Sequence, residues 1–190
     1  MRFYNRLGSF YVLIDKWLMP SKQRLIDFLN DQSPAEVLDF GMGRGSWWKH
    51  IDDKGISITG VDSSEYMVNY AQIEYPEKRI LLAKSNRLPI ADRSFVVVIL
   101  AHVLSVVKDP TDVLNEAHRV LKPQGRLIII NHDSTNFKFI DGFMGLLSKL
   151  VQVKLPFYIR EHIDQSKWRW IEMKVFGRFS YFNWVTLSKV

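Results

Sequence analysis

Val37-Leu-Asp39-Phe-Gly41-Met-Gly43-Arg-Gly45 decides the fold. The short apolar run Glu36–Phe40 reads as a strand, and glycines at alternate positions follow its carboxyl end. Glycines there let the chain turn tightly and let backbone approach a ligand with no Cβ in the way. In an open parallel sheet, ligands bind beyond the carboxyl ends of the strands, where the strand order reverses. Asp39, the last acid before the loop, can accept hydrogen bonds from an ammonium group or an ordered water. Taken alone, the glycine cluster also fits a plain tight turn.

Outward from this loop, strand-like and helix-like patterns alternate between residues 35 and 131, as βαβ units of a parallel sheet do. Ile56–Val61 reads as a second strand ending at Asp62, and the Ser63-Ser-Glu run opens a helix with a serine N-cap. Arg79–Ala83 and Phe95–Ala101 are further strands, the latter apolar on both faces like a central parallel strand. Pro110–Leu121 reads as an amphipathic helix, with Val113, Leu114, Ala117, Val120 and Leu121 along one side. Lys122–Gly125 reads as a turn into a fifth strand, Arg126–Ile130. Residues 9–31 read as two helices broken at Pro20, the second turning Leu25, Ile26, Phe28 and Leu29 inward. Apolar residues recur at helical spacing from 139 to 153, and Ile171–Val190 reads as a terminal antiparallel hairpin around Gly177.

Asp62 lies 23 residues after Asp39, the separation at which an acid meets ribose hydroxyls in a nucleotide-binding βαβ unit. A carboxylate can accept two hydroxyl donors at once. The competing role for Asp62 is a helix N-cap beside Ser63. The glycines lack the G-x-G-x-x-G spacing and the Lys-Ser/Thr ending of phosphate loops, so a nucleoside without phosphates suits the loop better.

Length and charge bound the rest. The 190 residues suit one domain, and 47% apolar with 24% charged residues exclude disordered and fibrous classes. With no cysteine there is no disulfide scaffold, thiolate zinc site or cysteine nucleophile. The first residues carry no apolar signal-peptide core, which points to a cytoplasmic protein. The net charge of +6 divides into +2 for residues 1–31, −1 for 32–136 and +5 for 137–190. The last 54 residues also hold twelve of the 25 aromatics. A basic, aromatic tail suits either an anionic surface or a solvated basic face over an aromatic core. Residues 138–154 have the composition of an interfacial helix, so peripheral membrane contact through them and the N-terminal helices is one expectation.

As an ordered set, Asp39-x-Gly41-x-Gly43-x-Gly45, Asp62 with Ser63 and Met67, Leu88–Phe95 and Leu121-Lys-Pro-Gln-Gly125 resemble the class I S-adenosylmethionine-dependent methyltransferases. The resemblance covers about residues 3–135. It implies a Rossmann-like α/β fold: seven mostly parallel strands, helices on both faces and an antiparallel C-terminal hairpin. It implies S-adenosyl-L-methionine as cofactor, with Asp39, Gly41, Gly43 and Gly45 at the methionine part and Asp62 with Ser63 at the ribose. Met67 would flank the adenine, Ala101 would line the site near the sulfonium, and Tyr11 would lie over the cofactor. Three positions depart from the family pattern: Lys84 stands where an acid usually meets the adenine amine, Val96 ends the Leu88–Phe95 motif, and Val12 follows Tyr11. Asn86 or a backbone carbonyl would then serve the adenine.

Within the family, His102–Pro110 and Ile130-Asn-His132 resemble bacterial phosphatidylethanolamine N-methyltransferases, and the ubiquinone/menaquinone-type methyltransferases come next. The expected acceptor is a small molecule or lipid, with a head-group amine favoured. The alternatives are a quinone precursor and a non-catalytic nucleoside-binding module. Methyl transfer needs alignment and exclusion of water more than covalent help, but an amine must shed a proton. His102 and His132, at the ends of the fourth and fifth strands, are the candidate bases; each could instead be a hydrogen-bonded strand-end histidine. No spacing suggests a metal, and the motif used to methylate nucleic-acid bases is absent, so a nucleic-acid partner is not expected. The whole reads as a single methyltransferase domain: an N-terminal helical lid over 1–31, a cofactor-binding core over 32–136, and a basic aromatic tail over 137–190 that completes the sheet.

Overall fold

The computed structural model describes residues 21–52, 55–85, 87–132, 157–176 and 182–190. Tyr11, Asn86, the expected helix over 139–153 and the membrane-contact segment 138–154 fall outside the described residues. The described chain runs α1 (21–32), β1 (Glu36–Phe40), β2 (Ser57–Asp62), α2 (Glu65–Glu74), β3 (Arg79–Leu82), β4 (Phe95–Ala101), α3 (Pro110–Val120), β5 (Leu121–His132), β6 (Trp168–Phe176) and β7 (Phe182–Lys189). The seven strands form one sheet in the order β3-β2-β1-β4-β5-β7-β6. β1 to β5 pair in parallel, and β7 joins β5 and β6 antiparallel. This is the α/β architecture expected from the sequence, terminal hairpin included.

Burial on both faces explains the unbroken apolar strands. Val37, Ile58, Val97, Ile99 and Ile128 point to a face covered by Leu25, Ile26 and Leu29 of α1 and by Val68 and Ala71 of α2. Leu38, Val61, Val98, Leu100 and Ile129 point to the other, covered by Val113, Leu114, Ala117 and Val120 of α3. Each such side chain taken out of water stabilises the fold by about 1.5–3 kcal/mol. In the tail, Phe157, Trp168, Phe182 and Trp184 are buried, whereas Arg160, Arg169 and Lys174 are exposed. The described part of the tail is therefore a basic surface over an aromatic core.

One local reading is made specific by the structure, and two need correction. The N-cap of α2 is Ser64, whose hydroxyl accepts from the Met67 N–H at 3.5 Å. The pairing of β5 begins at Leu121, which faces Phe95 before Arg126 resumes opposite Val97. Lys122–Gly125 is thus an irregularity within a longer strand rather than a turn before it. The hairpin's first strand starts at Trp168, three residues before the expected Ile171.

The Leu88–Phe95 stretch is held to α3 by one buried ion pair. Glu116 accepts from the Leu88 N–H at 2.7 Å and from Arg119 Nε at 2.8 Å. Arg119 also donates to the carbonyls of Ile90 and Leu88, at 2.8 and 3.3 Å, and to Asp92. Burial alone would raise the Glu116 carboxyl, but Arg119 and the Leu88 N–H outweigh it and hold the group below the usual carboxylate range. Arg119→Met should cost about 3 kcal/mol in denaturant unfolding, because it strands the Glu116 charge under the loop. A loss below roughly 1 kcal/mol would mean that the loop is held by other contacts.

Candidate functional site

The strand order reverses between β1 and β4, which are neighbours although β2 and β3 come between them in sequence. At this switch point the crevice lies beyond the ends of β1, β2 and β4. The loop after β1 occupies it. Gly41, Gly43 and Gly45 all take positive φ, at 88°, 58° and 64°, a conformation that side chains with Cβ rarely adopt. A Cβ on Gly41 would collide with Val103 of the loop after β4, and one on Gly45 would lie 2.8 Å from the Trp48 ring. The loop is packed as closely as backbone allows, and its Gly41 and Met42 N–H groups are tied to the Val61 carbonyl at 2.8 and 3.0 Å.

Asp39 lies beneath this loop, 1% exposed. Its Oδ2 accepts from the Trp48 indole N–H at 2.8 Å, while Oδ1 is buried with no hydrogen-bond partner. Burial pushes the carboxyl up to about 6, against the Trp48 hydrogen bond, the nearby Lys22 charge and a weaker pull from the Trp47 side chain; Asp62 adds to the rise. A buried carboxylate oxygen left open is costly unless something fills it. Trp48 is itself fixed by Tyr75, at 5.2 Å between ring centroids, and by Gly60, where a Cβ would run into Met42 and Trp48.

Asp62 ends β2 and ties the parts together. Its Oδ2 accepts from the Gly43 N–H at 2.8 Å and its Oδ1 from the Ser64 N–H at 2.9 Å. The residue is half-buried, and burial pushes its carboxyl up against the pull of the Ser64, Gly43 and Ser63 N–H groups. The N-cap of α2 is Ser64, so the competing N-cap role does not fall to Asp62. It braces the start of α2, and with three N–H groups directed at its two oxygens it retains acceptor capacity for a further donor.

The other expected residues sort by position. Ser63 is exposed beside Asp62, Met67 is buried in the first turn of α2, and Ala101 is half-buried at the end of β4. His102 follows with φ 61°, its N–H donating to the Ile130 carbonyl at 2.7 Å. Its Nε2 lies 2.8 Å from Ser21 Oγ, and its ring meets Phe182 edge-on at 5.7 Å. His132 closes β5 opposite Phe182 in the strand register. Lys84 is exposed just past β3. Among the described residues, no group of three His, Asp or Glu could hold a metal ion.

Four participants were not legible from the motifs. Trp48 is the donor to Asp39; the signal was a buried-type aromatic just after the loop, since an indole N–H taken from water needs a partner. Ser21 and Lys22, both buried, reach the strand ends from the first described turn of α1. Arg44, inside the loop, stacks its guanidinium 3.4 Å over the Tyr70 ring and keeps a buried Nε with no hydrogen-bond partner.

Residues 38–129 match the family model described as a methyltransferase domain. Over 149 residues the chain is 31% identical to the demethylmenaquinone methyltransferase of Thermotoga maritima, covering 75% of this chain and 65% of that protein. It is 30% identical over 139 residues to a ubiquinone/menaquinone biosynthesis C-methyltransferase of Desulfotalea psychrophila, covering 68% and 56%. The chain thus spans less than two thirds of the length of these curated relatives. Among solved structures, an S-adenosylmethionine-dependent methyltransferase of Thermotoga maritima superimposes with a TM-score of 0.72 at 18% identity, covering 100% of this chain and 99% of that one. Another from Aquifex aeolicus gives 0.60 at 20% identity, covering 94% and 98%. At these identities the structures speak for the fold, while the family model and the curated relatives speak for descent. Over residues 38–129 the chain is thus similar to methyltransferase domains, and its fold is that of S-adenosylmethionine-dependent methyltransferases.

Proposed function

We propose that this protein transfers a methyl group from S-adenosylmethionine to a small-molecule acceptor of the quinone-precursor type. The observation that carries this reading is the open, buried oxygen of Asp39. A donor ammonium would complete it, and Lys22 supplies a nearby positive charge for the carboxylate of the same amino-acid group. The remaining acceptor capacity of Asp62 would serve the ribose hydroxyls, with Ser63 alongside, while the Gly41–Gly45 backbone gives room for the methionine part. Met67 and Asn86 are assigned to the adenine, Ala101 to the sulfonium end and Tyr11 to the lid. The bound cofactor supplies an electrophilic methyl on a sulfonium. The protein's part is alignment, exclusion of water and acceptance of the acceptor's proton, which we assign to His102 with His132 as the second candidate.

The quinone-type acceptor is supported by the relatives named for demethylmenaquinone and for ubiquinone/menaquinone biosynthesis. A phosphatidylethanolamine-like head group is the second reading, favoured by an imidazole at the end of β4 that can take an ammonium's proton. We read the 190 residues as one domain, with 1–31 as lid, 32–136 as core and 137–190 completing the sheet. Peripheral membrane contact belongs to the same reading, since the acceptor is apolar; among the described residues no helix is long and apolar enough to cross a membrane.

Incubation with methyl-labelled S-adenosylmethionine, offering reduced demethylmenaquinone in detergent beside phosphatidylethanolamine vesicles, tests the acceptor. Label in the quinone is expected; label in the phospholipid would install the second reading, and label in neither would remove both. Asp62→Ala should weaken cofactor binding by about 1–3 kcal/mol in calorimetry, the scale of charge-assisted hydrogen bonds. Wild-type affinity would take Asp62 out of the site.

The raised Asp39 carboxyl gives a pH signature with a definite sign. Its folded value, about 6, lies above its unfolded one, so the ligand-free protein loses stability as pH rises from about 4 to 6, where ionising the buried group costs most. Cofactor binding runs the other way, because the ammonium needs the ionised form. Affinity should fall as pH drops below about 6, approaching tenfold per pH unit, and Asp39→Asn should bind weakly with that dependence gone. A flat wild-type profile between pH 5 and 7 (a window set by the raised value, about 6) would contradict the assignment.

A further inference from the structure

Ser21 is fully buried at the first described turn of α1, and its hydroxyl reaches across 81 residues of sequence to His102 Nε2 at 2.8 Å. Three features mark this as more than packing. His102 adopts φ 61°, a left-handed conformation unfavourable for a residue with a Cβ, which persists where the surroundings impose it. Here they impose it three times, through Ser21, the His102 N–H bond to Ile130, and the edge of Phe182. The residue so held directly follows Ala101, at the end of the strand beside the Asp39 strand. The adjacent helix residue, Lys22, acts on Asp39. One turn of α1 therefore brings a positive charge near the group that would hold the donor and a hydrogen bond to the imidazole that would serve the acceptor.

We propose that Ser21 is a positioning residue that fixes the tautomer of His102; the inference rests on the assignment of His102 above. A neutral imidazole carries one N–H and one lone pair, and a serine hydroxyl can accept from the former or donate to the latter; the arrangement proposed is the former. With Nε2–H donating to Ser21 Oγ, the lone pair resides on Nδ1. As the acceptor's nucleophilic atom bonds the methyl carbon, the carbon–sulfur electron pair stays on sulfur, which becomes a neutral thioether. The acceptor's proton passes to Nδ1, and the imidazolium so formed keeps its hydrogen bond to Ser21.

Histidine-selective ¹⁵N NMR, with the His102 resonances identified by their loss in His102→Asn, reads the tautomer without any acceptor. Wild type should show Nε2 protonated and Nδ1 bare, and Ser21→Ala should move His102 toward a mixture. In methyl transfer to reduced demethylmenaquinone, Ser21→Ala should lower kcat by roughly tenfold or more while KM for S-adenosylmethionine stays within about twofold, and Ser21→Thr should restore the rate. A bare Nε2 in wild type, or an unchanged spectrum in Ser21→Ala, overturns the inference. A slow His102→Asn beside a fully active Ser21→Ala overturns it too, and leaves the assignment of His102 standing. A fully active His102→Asn removes that assignment and the inference with it. If Ser21→Ala fails to fold, the Ser21→Thr spectrum decides: a wild-type tautomer supports the inference and a mixture overturns it.

Discussion

A carboxylate taken out of water and given half of what it needs governs this molecule's site. Asp39 spends one oxygen on the Trp48 indole and holds the other open inside the protein. Every close contact around it keeps that arrangement rigid. Gly60 has no side chain, so Trp48 can lie against β2; Gly45 has none, so the loop can lie against Trp48; and Tyr75 backs the indole from beyond α2. An apolar residue at position 39 would fill the space and leave the indole without its acceptor. Burying the carboxylate is costly, and under the proposed function a bound ammonium would offset that cost.

The second acid works differently. Asp62 is tied to the backbone of the very loop and helix whose positions define the crevice. It fixes the loop after β1 to the end of β2, so any ligand that reaches Asp62 also meets the glycine backbone. Neighbouring parallel strands carry the two carboxylates at their carboxyl ends, with Asp39 opposite Gly60 and Phe40 opposite Val61 in the register. Their separation follows from strand geometry rather than from side-chain conformation, so the site is built on the stiffest part of the fold.

What could be read from the sequence, and what could not, divides along contact range. β4 was legible residue for residue, because a run of β-branched and apolar residues bounded by turn residues admits few other structures. The glycines and the two acids were legible because a chain reversal at a strand end demands particular residue types locally. The start of β5 was hidden: turn-forming residues at Lys122–Gly125 mask a pairing of Leu121 with Phe95 that only the neighbouring strand supplies. Ser21, Lys22 and Trp48 were hidden for the same reason. Nothing local in Ser21-Lys22 says that this turn of α1 will land near the ends of β1 and β4. The family resemblance supplied the cofactor and the order of the site, and the contacts made by α1 lie outside its motifs.

The most direct measurement is a crystal structure with S-adenosylhomocysteine, which keeps the ammonium and the ribose of the donor. The account predicts its ammonium within hydrogen-bond distance of Asp39 Oδ1 and its ribose hydroxyls on Asp62, with Trp48 unmoved. A ligand bound with its ammonium elsewhere and Asp39 still unpaired would contradict the account at its root.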